Sequence, residues 1–397
     1  MSETLHRDQP GPIAAGVPKK FRGVRLSKPG VEESAAAPKP EFSFDLKPAD
    51  IAKHLNRFVI GQREAKKVLS VALCDHFQHV RLSLAANHAP FYQKQNVLLL
   101  GPTGVGKTHL IRSAAELIGV PFVKADATKF SETGYVGGDV DDLVRDLVRH
   151  AGGDVKKAEH GIIYLDEVDK LATRGEPAGR DVSGRGVQTN LLKLMEDGDV
   201  PLVSPNDMPG QLQSAMAAMR GGGALQPETV STRHILFIVS GAFSGIPEII
   251  QTRRQQAKST DELLGQLSTA DLITFGLEPE FVGRLPVRVA CHGLSEDDLF
   301  DVLRRSESSL IHQYERAFAA YGIECEFRDD GLRQLERLAA EEQTGARGLM
   351  TICERVFRDF KFRLPSSRVK KFAVTAQLVK TPAVELKRLL QKSTGKR

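Results

Sequence analysis

The feature that most limits what this chain can fold into is the run "NVLLLGPTGVGKTHL", Asn96 to Leu110. An apolar, strand-like segment ends at Leu100, a glycine-rich loop follows, and Lys107 opens a helical stretch. The loop fits the pattern G-x-x-x-x-G-K-[ST] and stands where that pattern must stand, between a strand and a helix. Glycines let backbone N–H groups turn inward around phosphate oxygens, and the N-terminus of the helix adds a favourable dipole. Lys107 supplies a point charge for the β- and γ-phosphates, and the Thr108 hydroxyl can ligate Mg2+. The expected nucleotide contacts are Gly101, Pro102, Thr103, Gly104, Val105, Gly106, Lys107, Thr108 and His109. The bare pattern can arise by chance; its strand–loop–helix setting argues against that.

Two more apolar runs, "GIIYLD" and "HILFIVS", read with "NVLLL" as strands buried on both faces. They alternate with helical segments, which predicts a mainly parallel sheet flanked by helices, an α/β domain. "GIIYLDEVDK" ends its strand on Asp166 and Glu167. Burying either carboxylate unpaired would be costly, so the pair has no packing role. Beside a phosphate loop, Asp166 can hold Mg2+ through water and Glu167 can polarise the water that attacks the γ-phosphate. A solvated strand end is the alternative. The third strand finishes at Ser240, which either orients the same water or is an ordinary strand-end hydroxyl.

Outside these strands the pattern changes three times. Residues 1–46 hold many prolines and few large apolar groups, too few to offset the entropy of ordering, and read as a disordered arm. Its "KKFRGVRLSK" cluster reads as a solvated charge run or as a contact for an acidic partner. From Pro48 the chain turns helical, with Ala65, Val68, Leu69, Ala72, Leu73 and Phe77 on one face. His76 and His79 on that helix are expected to be partly exposed and structural, since no third metal ligand is near. After Cys291, "LSEDDLFDVLRR" offers Ser295 as an N-cap with Asp298 three residues on. Helical stretches at 332–340 and 349–362 and a strand-like "IECEF" complete the region. The expected division is 47–291 for the α/β domain and 292–397 for a small, mostly helical domain.

Composition narrows the function. The net charge of +5 is a small excess of 55 basic over 50 acidic side chains, a mixed surface rather than a nucleic-acid-binding one. With no Trp and five Tyr, platforms for base stacking are scarce. No apolar run reaches the length of a bilayer span. The four cysteines are scattered without C-x-x-C spacing, which fits a reducing cytoplasm.

Taken in order, "FVIGQREAKKVL", "GPTGVGKT", "GYVG", "LDEVDK", "RDVSG", "GVQTNLLKLME", "ILFIVSGAF", "FGLEPEFVGRLPV" and "TGARGL" resemble the ClpX-type AAA+ unfoldases, with the HslU group close by. The resemblance spans about Pro48 to Ser367 and implies an AAA+ P-loop ATPase fold with a helical lid domain, ATP and Mg2+ as cofactors, and a homo-hexamer. It implies Val59 and Ile60 for the adenine pocket, Arg284 as an arginine finger reaching a neighbouring subunit's nucleotide, and Arg347 as the sensor arginine of the small domain. Either arginine could instead be a surface charge. It also implies that Gly134, Tyr135, Val136 and Gly137 line an axial channel, where Tyr135 and Val136 grip a translocating polypeptide; a buried Tyr in a turn is the alternative. Arg180 to Gly184 would form a second pore loop.

Three departures from the family bear on partners. The stretch before Glu41 has no cysteine, so the four-cysteine zinc domain with which such proteins usually begin is expected to be missing. The region after "SGAF" lacks the Ile-Gly-Phe-type tripeptide that docks a ClpP-type peptidase. Residues 204–229, rich in Met, Ala and Gly, replace a basic substrate loop and read equally as an apolar grip or an ordinary loop. HslU's large inserted domain and hydrophobic C-terminal end are expected to be missing as well, the last residues here being the polar, basic "LLQKSTGKR". The expected function is therefore an ATP-dependent protein unfoldase; the alternatives are the regulatory ATPase subunit of a protease and, from another class, an AAA+ nucleic-acid remodeller.

Overall fold

The computed structural model describes residues 42–86, 92–131, 138–172, 182–203, 229–253 and 263–394. The predicted arm as far as residue 41, the segment 204–228, the loop 132–137 and residues Arg180 and Asp181 lie outside the described residues. Helix α1 (Pro48–Phe58) and helix α2 (Arg63–Ala86) lead into strand β1 (Val97–Leu100), helix α3 (Lys107–Ile118) and strand β2 (Phe122–Asp126). Helices α4 (Asp142–His150) and α5 (Val155–Ala158), strand β3 (Ile162–Asp166) and helix α6 (Val182–Met195) follow. A short antiparallel pair, β4 (Asp199–Pro201) and β5 (Thr229–Ser231), precedes β6 (Leu236–Gly241). Helices α7 (Ile246–Arg253), α8 (Thr269–Phe275) and α9 (Pro279–Gly283) then lead to β7 (Val287–Ala290).

Strands β2, β3, β6, β1 and β7 form one five-stranded parallel sheet in that order. Its strands are continuous apolar runs because the two faces meet different helical layers. Leu98, Leu100, Ile163, Leu165, Phe237 and Val239 point into a core shared with α4 and α6 to α9. The alternate residues Val97, Leu99, Ile162, Tyr164, Leu236 and Ile238 point into a second core with α1, α2 and α3. Each such side chain contributes roughly 1.5–3 kcal/mol by leaving water. The helical face predicted on α2 is the buried one: Ala65, Leu69, Ala72, Leu73 and Phe77 are all inaccessible. Phe44, ahead of residue 47, is also buried and meets Phe77 at 5.5 Å between ring centres, so the ordered chain starts before α1.

A third core draws only on residues 299–386. It is built by α10 (Glu296–Arg304), α11 (Leu310–Ala319), β8 (Glu324–Phe327), α12 (Asp329–Glu341), α13 (Ala346–Arg363), β9 (Lys371–Val374), α14 (Ala376–Lys380) and α15 (Pro382–Thr394). The expected cap forms: Ser295 Oγ accepts from Asp298 N at 3.1 Å, while Asp298 Oδ2 accepts from Ser295 N at 3.0 Å. The "IECEF" strand is β8, paired in parallel with β9, a partner the sequence pattern did not single out. All four cysteines are free and buried.

The histidine expectation needs correction at one position. His76 is fully buried rather than partly exposed, because Tyr92 and the turn at His234, ahead of β1 and β6, close over its ring. Its Nε2 donates to the His234 carbonyl at 3.0 Å, and its Nδ1 lies 3.4 Å from the Tyr92 hydroxyl. His79 stacks on Tyr92 at 3.5 Å. Burial holds the His76 imidazole down at about 3 and that of His234 at about 4. An unfolded histidine titrates near pH 6.5, so on acidification the unfolded chain takes up protons that the folded chain refuses. The stability due to these neutral rings is complete above about pH 6.5 and is lost as the pH falls toward 4. The thermal midpoint is therefore expected to drop across that window. His76→Gln, which keeps a donor for His234, should flatten the slope by up to about 1.4 kcal/mol per pH unit; an unchanged slope would mean that His76 titrates freely in the fold.

Candidate active site

Parallel packing places the ends of β1, β3 and β6 side by side, and ligands of open α/β sheets bind at such carboxyl edges. The loop after β1 turns on three left-handed glycines, Gly101 (φ 140°), Gly104 (φ 82°) and Gly106 (φ 96°). Two of them are needed for space as well as for conformation. A Cβ on Gly101 would lie 2.2 Å from the Cys291 carbonyl oxygen, and one on Gly104 would lie 2.2 Å from that of Thr344. Ala346 N donates to Gly104 O at 3.0 Å, so α13 begins against the loop itself.

Beside this loop lies a cavity of about 640 Å³. Thr103 to His109 line it from one side, Asp166, Glu167, Asp169 and Lys170 from another, Val59 and Ile60 from a third, and Arg347 from the small helical region. Gly101 and Pro102 stand at the loop's entrance, where their carbonyl oxygens accept from Lys107 Nζ at 2.5 and 2.9 Å. Burial pulls the Lys107 ammonium below lysine's ordinary range, against the attraction of Asp166 and Asp169. A cation kept in such a place is poised to gain from an incoming anion.

The two carboxylates of "LDEVDK" have different surroundings. Asp166 is largely buried and fully engaged. Its Oδ1 accepts from Ser240 Oγ at 2.6 Å and from Glu167 N at 3.1 Å. Its Oδ2 lies 3.4 Å from both Thr108 Oγ1 and Lys124 Nζ. Glu167 sits in the left-handed region at φ 61°, a conformation that costs a non-glycine residue energy and turns its side chain out into the cavity. Its Oε2 accepts from Lys170 Nζ at 2.5 Å, and that bond raises the Lys170 ammonium above its usual value. Asp169 braces the neighbouring strand end, accepting from Phe243 N at 3.2 Å.

Ser240 is placed between the other two strand ends, as the strand order requires, but it is fully buried and does not line the cavity. Its hydroxyl is committed to Asp166 and to the Tyr164 hydroxyl, 2.7 Å away. In this arrangement the Ser240 hydroxyl faces Asp166 and Tyr164, not the cavity. Arg284 caps α9, is half exposed, and reaches Glu196 Oε1 at 2.5 Å rather than the cavity of its own chain. Gly134 to Gly137 lie outside the described residues; on either side of the loop, Gly138 N donates to Lys129 O at 3.0 Å and Ser131 N to Gly138 O at 3.4 Å. Lys124, Tyr164, Asp169 and Lys170 were not foreseen. Lys170 and Asp169 stand inside the quoted motif, and Lys124 is the register partner of Tyr164 across β2 and β3, a pairing invisible before the sheet is known.

Among the described residues no cluster of three His, Cys, Asp or Glu is placed to hold a metal alone. The Thr108 hydroxyl and Asp166 carboxylate form a sparse, hard-oxygen pair suited to Mg2+, which keeps most of its water.

The AAA domain (Cdc48 subfamily) family matches residues 92–288. The ATP-dependent Clp protease ATP-binding subunit ClpX of Borrelia duttonii is 41% identical over 356 residues, covering 85% of this chain and 79% of its own. The protein of that name from Borrelia recurrentis matches to the same extent. ClpX 3 of Methylococcus capsulatus is 38% identical over 377 residues, with 88% and 84% covered.

The tight loop contacts set an expected outcome. Gly101→Ala and Gly104→Ala should each weaken binding of a fluorescent ADP analogue at least about tenfold. Gly119→Ala, at φ 78° but with nothing within 4 Å, should leave it unchanged. Equal losses at all three positions would show that only backbone conformation matters.

Proposed function

The chain belongs to the ClpX family of AAA+ ATPases, and on that footing we propose that it spends ATP to thread polypeptides through a ring of identical subunits, acting as an unfoldase. The observation that carries this reading is the single cavity where the phosphate loop, the Asp166–Glu167 strand end and Arg347 of the helical region converge. We assign residues 47–291 to a large domain and 292–397 to a small one that moves against it; the separate core over 299–386 supports the division.

In this reading Val59 and Ile60 hold the base, and the N–H groups from Gly104 to Thr108 hold the phosphates. Lys107 exchanges its loop carbonyls for β- and γ-phosphate oxygens. Thr108 and Asp166 hold Mg2+, which when bound would offset phosphate charge. Glu167 takes the proton of the attacking water as general base, which requires Lys170 to release its Oε2. Ser240 and Tyr164 fix Asp166. Arg347 closes over the phosphates from the small domain. Arg284 serves the nucleotide of a neighbouring subunit, so turnover requires a ring, here a hexamer; its half-exposed position outside its own chain's cavity supports this assignment. Tyr135 and Val136 grip substrate with contacts that demand no specific hydrogen bonds.

A second reading, as the regulatory subunit of an ATP-dependent protease, is favoured by the names that the relatives carry. The absence of an Ile-Gly-Phe-type tripeptide between Ser244 and Leu264 stands against it. Among the described residues no helix is long and apolar enough to cross a membrane.

Two measurements test the proposal. Glu167→Gln should bind ATP with near-normal affinity while kcat falls by about 10² or more, the loss typical of a missing general base. Tyr135→Ala should keep basal hydrolysis but lose both stimulation by an unfolded protein and its unfolding; retained unfolding would rule out threading by that loop. Degradation of the same substrate on adding a ClpP-type peptidase would favour the second reading.

A further inference from the structure

We propose that Gln62 is a positioning residue that ties the base-binding wall to the hinge of the small domain, so that nucleotide occupancy is passed to domain movement through its side-chain amide. The inference rests on the nucleotide reading above. Gln62 is buried, follows Val59, Ile60 and Gly61, and precedes α2. It holds φ 53° directly after Gly61 at φ 64°, a left-handed turn that a non-glycine residue keeps only where its surroundings demand it.

The demand is visible in its side chain. Nε2 donates to His292 O at 2.8 Å, and Oε1 accepts from His292 N at 2.9 Å. One amide thus satisfies both main-chain groups of one residue, as a neighbouring strand would. His292 is the first residue past the large domain's grip. Cys291 before it donates its N–H to Leu100 O at 2.7 Å and packs its carbonyl on Gly101. Three residues later Ser295 caps α10, the first helix of the other core. The only residues between are Gly293, with nothing within 4 Å of its Cβ position, and Leu294, which lines the cavity.

The wall end of the clamp is equally fixed. Lys66 N donates to Gln62 O at 2.9 Å, and Lys66 Nζ donates to Val59 O at 2.6 Å. A base settling against Val59 and Ile60 therefore cannot shift that wall without moving Gln62, and Gln62 cannot move without carrying His292. Other links between the two regions join different points: Ser306 Oγ donates to Phe58 O at 2.7 Å and Glu307 N to Arg57 O at 2.9 Å, beyond the start of α10. Gln62 alone of these holds His292 by both main-chain groups.

The test separates the amide from the backbone. Gln62→Gly keeps, and eases, the left-handed conformation while removing the clamp; the two lost hydrogen bonds lower stability in any case, but a merely structural role would leave the response to nucleotide as before. Donor and acceptor dyes on Arg149→Cys and Arg388→Cys, exposed sites in the two domains, can be attached selectively because the native cysteines are buried. With Gln62 present, saturating ADP and Mg2+ should change the energy transfer. In Gln62→Gly the change at saturation should fall to less than about half, with ADP affinity within about threefold and kcat reduced more than KM. A full-sized change in Gln62→Gly, or no change in the parent protein although ADP binds, would overturn the clamp while leaving the nucleotide site intact. A protein that binds no ADP would overturn the nucleotide reading, and the clamp with it.

Discussion

Everything else in this molecule is arranged around one contact, the backbone of the phosphate loop pressed between two other backbones. On one side Gly101 meets the Cys291 carbonyl, at the end of an edge strand of the sheet. On the other Gly104 meets Thr344 and Gly345, where α13 of the small region starts. No side chain fits at either place. The loop is therefore the junction of the two parts of the chain, and any change in its shape, such as closing around phosphates, has to be felt by both. Interiors packed this tightly do not deform smoothly; they switch between discrete arrangements.

The sheet converts that junction into chemistry. Because its strands run parallel, the ends of β1, β3 and β6 share one edge, and Ser240 and Asp166 fall within bonding distance beside the loop that follows β1. Leu99 pairs with Ser240 and Asp126 with Asp166 in register. The same register puts Lys124 beside Tyr164 and brings its ammonium to Thr108 and Asp166. A one-residue slip would turn each of these side chains to the other face. Since both faces are apolar, hydrophobicity alone would tolerate the slip; it is opposed by the close packing of differently shaped side chains into the two cores.

Much of this could be read before the fold was known, for reasons that differ by residue. The P-loop was legible because glycine, lysine and threonine at fixed spacing have few other uses. Asp166 and Glu167 were legible because charge at the end of an apolar strand needs an explanation. Ser240 was legible as a strand end with two possible uses, and its bonds to Asp166 and Tyr164 were not, since sequence gives a strand end but not which neighbours a hydroxyl takes. His76 was expected to be more exposed than it is, since helical spacing gives a face but not which distant loops, here at Tyr92 and His234, cover it. Lys124 and β9 depend on pairing between distant segments, about which local pattern is silent. Gln62 was in plain view within "VIGQRE", but an amide that binds one residue's N–H and C=O 230 positions away leaves no local trace.

The two adjacent acids illustrate how one strand end is divided between holding and reacting. Asp166 is enclosed, with donors on both oxygens, so its carboxylate is fixed in place and its geometry is set before any ligand arrives. Glu167 is half exposed, held only by a lysine three residues on, and stands on a strained backbone that aims it into the cavity. Under the function proposed above, a group that takes up and releases a proton in each cycle needs that freedom, while a group that positions a cation needs the opposite. The left-handed turn at Glu167 is the means: with ordinary strand geometry, the residue after Asp166 would point away from the side that Asp166 occupies. The backbone strain at this point is thus what lets two consecutive carboxylates face one site.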